Sequence, residues 1–118
     1  MTIDAKAFNV AAAIVYDNAR AHGFWDLQVI GGQVIPKNQG EMIALIHSEL
    51  SEALEGLRHG NPMSEHIPEF TSVEEELADV VIRVLDYAGG FGLRIGEAIA
   101  AKHQFNQARP HKHGGKAF

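Results

Sequence analysis

The sequence contains no cysteine, which excludes disulfide scaffolds, thiolate zinc sites and thiol nucleophiles together. No apolar run approaches the roughly 20 residues that span a bilayer. The start, Met1 to Lys6, has no basic stretch followed by an apolar one, so no secretory signal is expected and a soluble cytoplasmic protein is the default reading. Positive charge is in deficit: 10 Lys and Arg stand against 15 Asp and Glu, a net charge of −5 with the seven His neutral. That balance gives no reason to expect a nucleic acid polymer or an anionic membrane as partner. It leaves room for an anionic small molecule, because a bound divalent cation reverses the local sign.

Several catalytic signatures are also missing. No Gly-x-x-x-x-Gly-Lys-Ser/Thr occurs, which removes the Walker phosphate loop. The run Gly90 to Gly96 does not fit the dinucleotide fingerprint and reads as a helix-breaking turn. A ferritin-like di-iron bundle needs two Glu-x-x-His motifs, and none is present. The His-Asp dipeptide of helical metal phosphohydrolases with mixed ligands is absent as well.

What remains is a chain of 118 residues, 46% hydrophobic and 21% charged, the length and composition of one globular domain. Helical spacing dominates. Ile3, Ala7, Val10, Ala11, Ile14 and Val15 predict a first helix from about residue 3 to 21, with Gly23 at its C-terminal end. Residues 24–37 read as a loop with room for a small hairpin around Gly31-Gly32. Asn38 is placed to cap a second helix reaching Arg58, and His59-Gly60-Asn61-Pro62 stops it. After a second loop at 60–71, Thr71 and Ser72 precede Glu74 and Glu75 by three residues, a capping-box pattern that opens a third helix. That helix is expected to end near Ala88, before Gly89-Gly90, and a fourth spans about 93–108 until Pro110. The expected architecture is an all-α four-helix bundle over residues 1–110, followed by a basic tail at 111–118. Met42, Ile43, Ile46, Leu50, Ala53, Leu54 and Leu57 make a wide apolar face, and Val73, Leu77, Val80, Val81, Val84 and Leu85 another. A short chain with two such faces favours completing its core as a homodimer or homotetramer.

Glu49 and Glu52 lie three apart on the second helix, and Glu76 and Asp79 three apart on the third. At that spacing each pair projects from one helix face, one turn apart. Two pairs on antiparallel neighbours bring four carboxylates towards a common point, where repulsion requires protons or cations between them. Oxygen ligands without His or Cys select Mg²⁺ or Mn²⁺. The alternative is a solvated helix face, the usual setting of a lone Glu-x-x-Glu. Apart from Glu52, the helical neighbours of Glu49 are apolar or small, so Glu49 occupies a core position, where an unpaired charge is costly. Glu76 and Asp79 discriminate less, since an Asp79–Arg83 salt bridge on the third helix accounts for them equally well. Helix geometry alone leaves both readings open.

Lys102 on the fourth helix repeats the anomaly, with Ile95, Ala98, Ile99 and Phe105 around it and Asn106 and Arg109 continuing its line. Either its stem is buried and its amine reaches solvent, or Lys102 and Asn106 face the acidic site and hold the oxygens of a bound anion. Phe24-Trp25 offers a ring to stack on a base, with Trp25 counted among the candidate substrate contacts, although aromatics after a helix more often anchor loops. His111-x-His113 provides two metal ligands on a tail, a pattern that is usually adventitious.

The order Glu49-x-x-Glu52, 23 intervening residues, Glu76-x-x-Asp79 and then Lys102-x-x-x-Asn106 resembles the MazG-like all-α nucleoside triphosphate pyrophosphohydrolases. Gly23-Phe24-Trp25-Asp26 and the Arg109 to Lys116 tail are similar to short single-domain bacterial or phage members. The resemblance covers the chain from about residue 23 onward. It implies a dimer or dimer of dimers, each site built mainly from one four-helix unit and completed by a neighbour. It also implies Mg²⁺-dependent conversion of an NTP or dNTP, dGTP and dCTP among the possibilities, to the monophosphate and pyrophosphate. By position Glu49, Glu52, Glu76 and Asp79 would ligate two or three Mg²⁺, or Mn²⁺ in their place. Lys102, Asn106 and Arg109 would contact substrate, with Lys102 offsetting charge on the phosphate chain during in-line attack at the α-phosphorus. Many relatives carry a further Glu immediately before the first pair, and this chain has Ser48 there. The general base is therefore open among Glu49, Glu52 and a water activated by the metal. The same departure keeps a second class in play, a helical module that holds nucleotide or a protein partner without cleaving it. A third is a structural protein with ion-paired helix faces. Base recognition is expected in the loops 24–37 and 60–71 and in the partner subunit. The preferred base and sugar are not encoded in these motifs, nor is the choice between housecleaning and tuning of a nucleotide pool.

Overall fold

Local side-chain chemistry sets where each element begins. In the computed structural model, which describes residues 1–110, Asp4 accepts a hydrogen bond from the Lys6 amide at 3.0 Å and opens α1 (Ala5–Ala21). Asn38 does the same for α2 (Gln39–Arg58) through the Glu41 amide, also at 3.0 Å. Thr71 and Glu74 form the reciprocal box that opens α3 (Ser72–Gly90). The fourth helix, α4 (Ile95–Gln107), has no side-chain cap at Arg94. Instead Asn9 of α1 accepts from the Gly96 amide at 2.9 Å and donates to Glu97, which ties the start of α4 to α1. Between α1 and α2 runs a hairpin of β1 (Gln28–Ile30) and β2 (Gln33–Ile35), antiparallel with Val29 opposite Val34. Its turn is Gly31-Gly32, both with positive φ as a two-residue type I′ turn requires.

The helical content agrees with the expected all-α class; α1 and α4 each begin two residues later than expected, and the end of α3 differs for a tertiary reason. Helix α3 does not stop at Ala88 but continues through Gly89 and Gly90. The reason is tertiary. A Cβ at Gly89 would stand 2.8 Å from the Tyr16 Cβ and 2.9 Å from the Ala12 carbonyl, and one at Gly90 would overlap the Trp25 ring. The glycines are there to let α1 and the following loop approach α3. They do not end the helix, because its hydrogen bonds outweigh the roughly 1 kcal/mol that each glycine costs.

Helix α3 is the centre of the arrangement. It packs along α2 on one side and α1 on the other, while α4 packs on α1. Gly56 lies beside Ser72, Glu49 beside Arg83 and Gln39 beside Tyr87, so α2 and α3 run antiparallel. Among the described residues the buried apolar side chains are Ala12, Ala53, Leu85 and Ala88. Large apolar residues stay exposed along the helices, including Ile14 at 65%, Leu54 at 48% and Val81 at 52%. The accessible surface is 8947 Å², against about 6,300 Å² for a compact monomer of this mass. The radius of gyration is 17.5 Å, against about 13.5 Å expected for the length. One chain does not cover its own apolar faces. No helix among the described residues is long and apolar enough to cross a membrane.

Candidate metal and ligand site

Helix α3 presents Glu76, Asp79, Arg83 and Asp86 at spacings of three and four, a single stripe along its length. Helix α2 meets this stripe with Glu49. Carboxylate oxygens of Glu49, Glu76 and Asp79 all lie within 4.8 Å of one another, and all three residues are half-buried. Octahedral Mg²⁺ with oxygens at about 2.1 Å needs ligand separations of about 3.0 to 4.2 Å, so small side-chain adjustments suffice to close the group on an ion. The donor set, carboxylates alone, suits a hard divalent cation.

The electrostatics of the group are those of anions held too close. Burial, a hydrogen bond shared with Glu49 and the negative charge of Glu49 push the Glu76 carboxyl up to about 7. Burial raises Asp79 as well, with Glu49 and Glu75 adding to it and Arg83 opposing. Arg83 supplies the nearest compensation. Its Nε donates to Glu49 Oε1 at 2.9 Å, with Glu49 only 16% exposed.

Two members of the acidic group, Glu49 and Asp79, line a cavity of about 740 Å³, while Glu76 lies outside its lining; the volume is within the usual range of small-molecule sites. Helices α1, α2 and α3 form its walls, and the segment from Phe24 to Gln28 with the strand end Ile35 to Asn38 forms the rest. Its charged lining is Asp26, Glu41, Glu49, Asp79 and Asp86 against Lys37 and Arg83. Trp25 stands in this wall, its Nε1 donating to Asp86 Oδ1 at 2.8 Å. Its ring meets Tyr16 and Phe91 edge-on at 5.2 and 5.4 Å. Lys37 lies over the same ring at 5.5 Å and donates to the Phe24 carbonyl. Trp25 is thus a loop anchor that also lines the cavity.

Three of the four expected metal ligands converge, and Glu52 does not. It is exposed and outside the group, one turn along α2 from Glu49. The Asp79–Arg83 salt bridge, the alternative account of Glu76 and Asp79, does not form; Arg83 pairs with Glu49 instead, because the packing of α2 on α3 brings the Glu49 carboxylate to the guanidinium. Lys102 is exposed, its Nζ 4.5 Å from the centre of the Phe105 ring. Neither Lys102, Asn106 nor Arg109 lines the cavity. Because α4 packs on α1, one chain does not bring these three to the acidic residues. His111 and His113 lie outside the described residues.

Of the two loops expected to recognise a base, only 24–37 borders the cavity. The loop at 60–71 is instead fastened to α3. The buried Ser64 hydroxyl donates to Glu75 at 2.7 Å and accepts from the amides of His66 and Ile67. Glu75 also meets His66 Nδ1 at 2.8 Å, which raises the His66 pKa, and the hydrogen bonds from Ser64 first and His66 second lower that of Glu75. The sequence does not single out Lys37 or the Ser64–Glu75 pair, and it offers Arg83 as a neighbour of Glu76 and Asp79 on the same helix face and a salt-bridge partner for Asp79. The 3-4-3 spacing from Glu76 to Asp86 was the one local signal that grouped Arg83 with the carboxylates. In comparison with known proteins, no family model matches this chain, and neither a curated protein nor a solved structure matches it.

Proposed function

We propose that this protein is a Mg²⁺-dependent nucleoside triphosphate pyrophosphohydrolase that acts as a homodimer or homotetramer. The observation that carries the reading is the meeting of Glu49, Glu76 and Asp79, two of which, Glu49 and Asp79, line a cavity of nucleotide size. The ordered Glu49-x-x-Glu52, Glu76-x-x-Asp79 motifs support the same reading. Glu49, Glu76 and Asp79 would hold the first cation, with Glu52 available to a further one. Bound Mg²⁺ supplies neutralisation of the phosphate chain and a lowered pKa for a bound water. The reaction would add water to the α-phosphorus, break the bond to the α,β-bridging oxygen and release monophosphate and pyrophosphate. The loop wall around Trp25 would hold the nucleoside. Lys102, Asn106 and Arg109 would serve the site of a neighbouring subunit, since their own chain keeps them from it. The uncovered apolar faces and the excess surface support assembly. A nucleotide substrate fits a cytoplasmic setting.

A binding module that does not cleave has one observation in its favour. Ser48, at the place where many of the MazG-like proteins that the chain resembles carry an extra Glu, turns its hydroxyl back to the Leu45 carbonyl at 2.6 Å and offers no base. Anion-exchange product analysis with each NTP and dNTP, with and without Mg²⁺, separates the readings. Monophosphate with pyrophosphate, only when metal is present, is the expected result. Orthophosphate with diphosphate overturns the assigned bond cleavage. Binding without turnover favours the module.

A further inference from the structure

Arg83 is the only cation among the described residues that is paired with the acidic group. It contacts Glu49 through Nε alone, at 2.9 Å, so the N–H donors on both Nη atoms are not committed to that carboxylate. The side chain is 43% exposed and lines the cavity together with Glu49 and Asp79. On its Arg83 side this ion pair is open to solvent, where the guanidinium can exchange one anionic partner for another. A divalent cation drawn to Glu49, Glu76 and Asp79 competes with the guanidinium for the Glu49 oxygens and repels it. A phosphate chain entering the same cavity offers the displaced guanidinium planar, bidentate acceptors. Lys37, the other cation in the lining, is already engaged with the Phe24 carbonyl and the Trp25 ring.

We propose that Arg83 is an exchangeable counter-ion that neutralises Glu49 while the site holds no metal and transfers to the phosphate chain when a divalent cation takes Glu49. This rests on the site being a cation-dependent phosphate site, as proposed above. Its consequence is that cation and anion binding are coupled through one side chain of α3. Arg83 therefore contributes in opposite directions, against the cation alone and in favour of the phosphate chain.

The test uses the assembled full-length protein, Mn²⁺ followed by electron paramagnetic resonance, and inorganic pyrophosphate as a probe that needs no particular base. Arg83→Gln is expected to bind Mn²⁺ alone about two- to fivefold more tightly than wild type. In saturating Mn²⁺ the same variant is expected to bind pyrophosphate about tenfold or more weakly, with Arg83→Lys between the two. A merely structural arginine would weaken both or leave both unchanged, and either result overturns the exchange. Should Arg83→Gln fail to fold, the side-chain Nε–H resonance of Arg83 in the wild-type protein decides. It is expected to shift with Mg²⁺ and again with pyrophosphate, and an unmoved resonance overturns the proposal. Mn²⁺ and pyrophosphate responses of the expected sign without nucleotide turnover would uphold the exchange and overturn only the pyrophosphohydrolase reading. Wild-type protein that takes up no Mn²⁺ overturns both.

Discussion

The indole of Trp25 donates a 2.8 Å hydrogen bond to Asp86, tying the segment after α1 to the charged stripe of α3. Trp25 is the only tryptophan, and it stands in the wall of the cavity. Ligand entry should therefore change its emission, and a fluorescence titration with nucleotide and Mg²⁺ is expected to saturate. Trp25→Phe keeps a ring but loses the donor, leaving Asp86 half-buried and unpaired. The expected cost is about 1 kcal/mol in denaturant unfolding, together with weaker nucleotide binding.

Gly90→Ala tests the close approach beneath that ring. Helix propensity alone predicts a gain of about 1 kcal/mol. The added methyl would overlap the Trp25 ring, however, and overpacking of this kind costs about 1–3 kcal/mol. Net destabilisation and a shifted Trp25 emission are expected. A stabilised variant with wild-type emission would mean that the contact is not formed.

The carboxylates should separate by role. Glu49→Gln, Glu76→Gln and Asp79→Asn are each expected to lower turnover by about 100-fold or more, since each removes a charge that would hold the cation. Glu52→Gln should also nearly abolish turnover with the fold intact, yet leave the first Mn²⁺ equivalent bound, because Glu52 lies outside the converged group. Full activity in both Glu52→Gln and Asp79→Asn would remove the assignment.

The shift at Glu76 gives a pH dependence with a definite sign. Its carboxyl is raised from 4.5 to about 7 in the folded chain, so between those values the folded state binds more protons than the unfolded one. Stability of the metal-free protein therefore falls as pH rises through that window. His66, also raised, acts in the same direction. A divalent cation replaces the proton, so the gain in Tm on adding Mg²⁺ should be larger at pH 8 than at pH 5. Glu76→Gln should flatten the metal-free profile. A Tm that rises from pH 5 to 8 without metal would contradict the crowded-carboxylate picture.

Assembly is checked by light scattering after size exclusion. A mass of two or four times 12.9 kDa is expected. Leu54 and Val81 are about half exposed on the two helices that carry the acidic group. Leu54→Glu with Val81→Glu should lower the mass and the turnover together, provided that this face is the interface. A monomeric wild-type protein would leave Lys102 and Asn106 without a route to the site.

Most of what the sequence alone determined about this protein is local. Asn38, the Thr71–Glu74 box, Gly23 and Gly31-Gly32 mark element ends legibly, because the hydrogen bonds and positive φ values involved span only a few residues. The spacing of Glu76 and Asp79 and the apolar surroundings of Glu49 were legible for the same reason. Which groups meet across helices was not. Tertiary packing chose Glu49 over Asp79 as the partner of Arg83 and left Glu52 outside the group. It also carried α3 through two glycines to receive Trp25, and laid α4 on α1, away from the carboxylates. Spacing fixes the face a side chain occupies on its own helix, but the rotation and offset of one helix against another depend on the shapes of both surfaces.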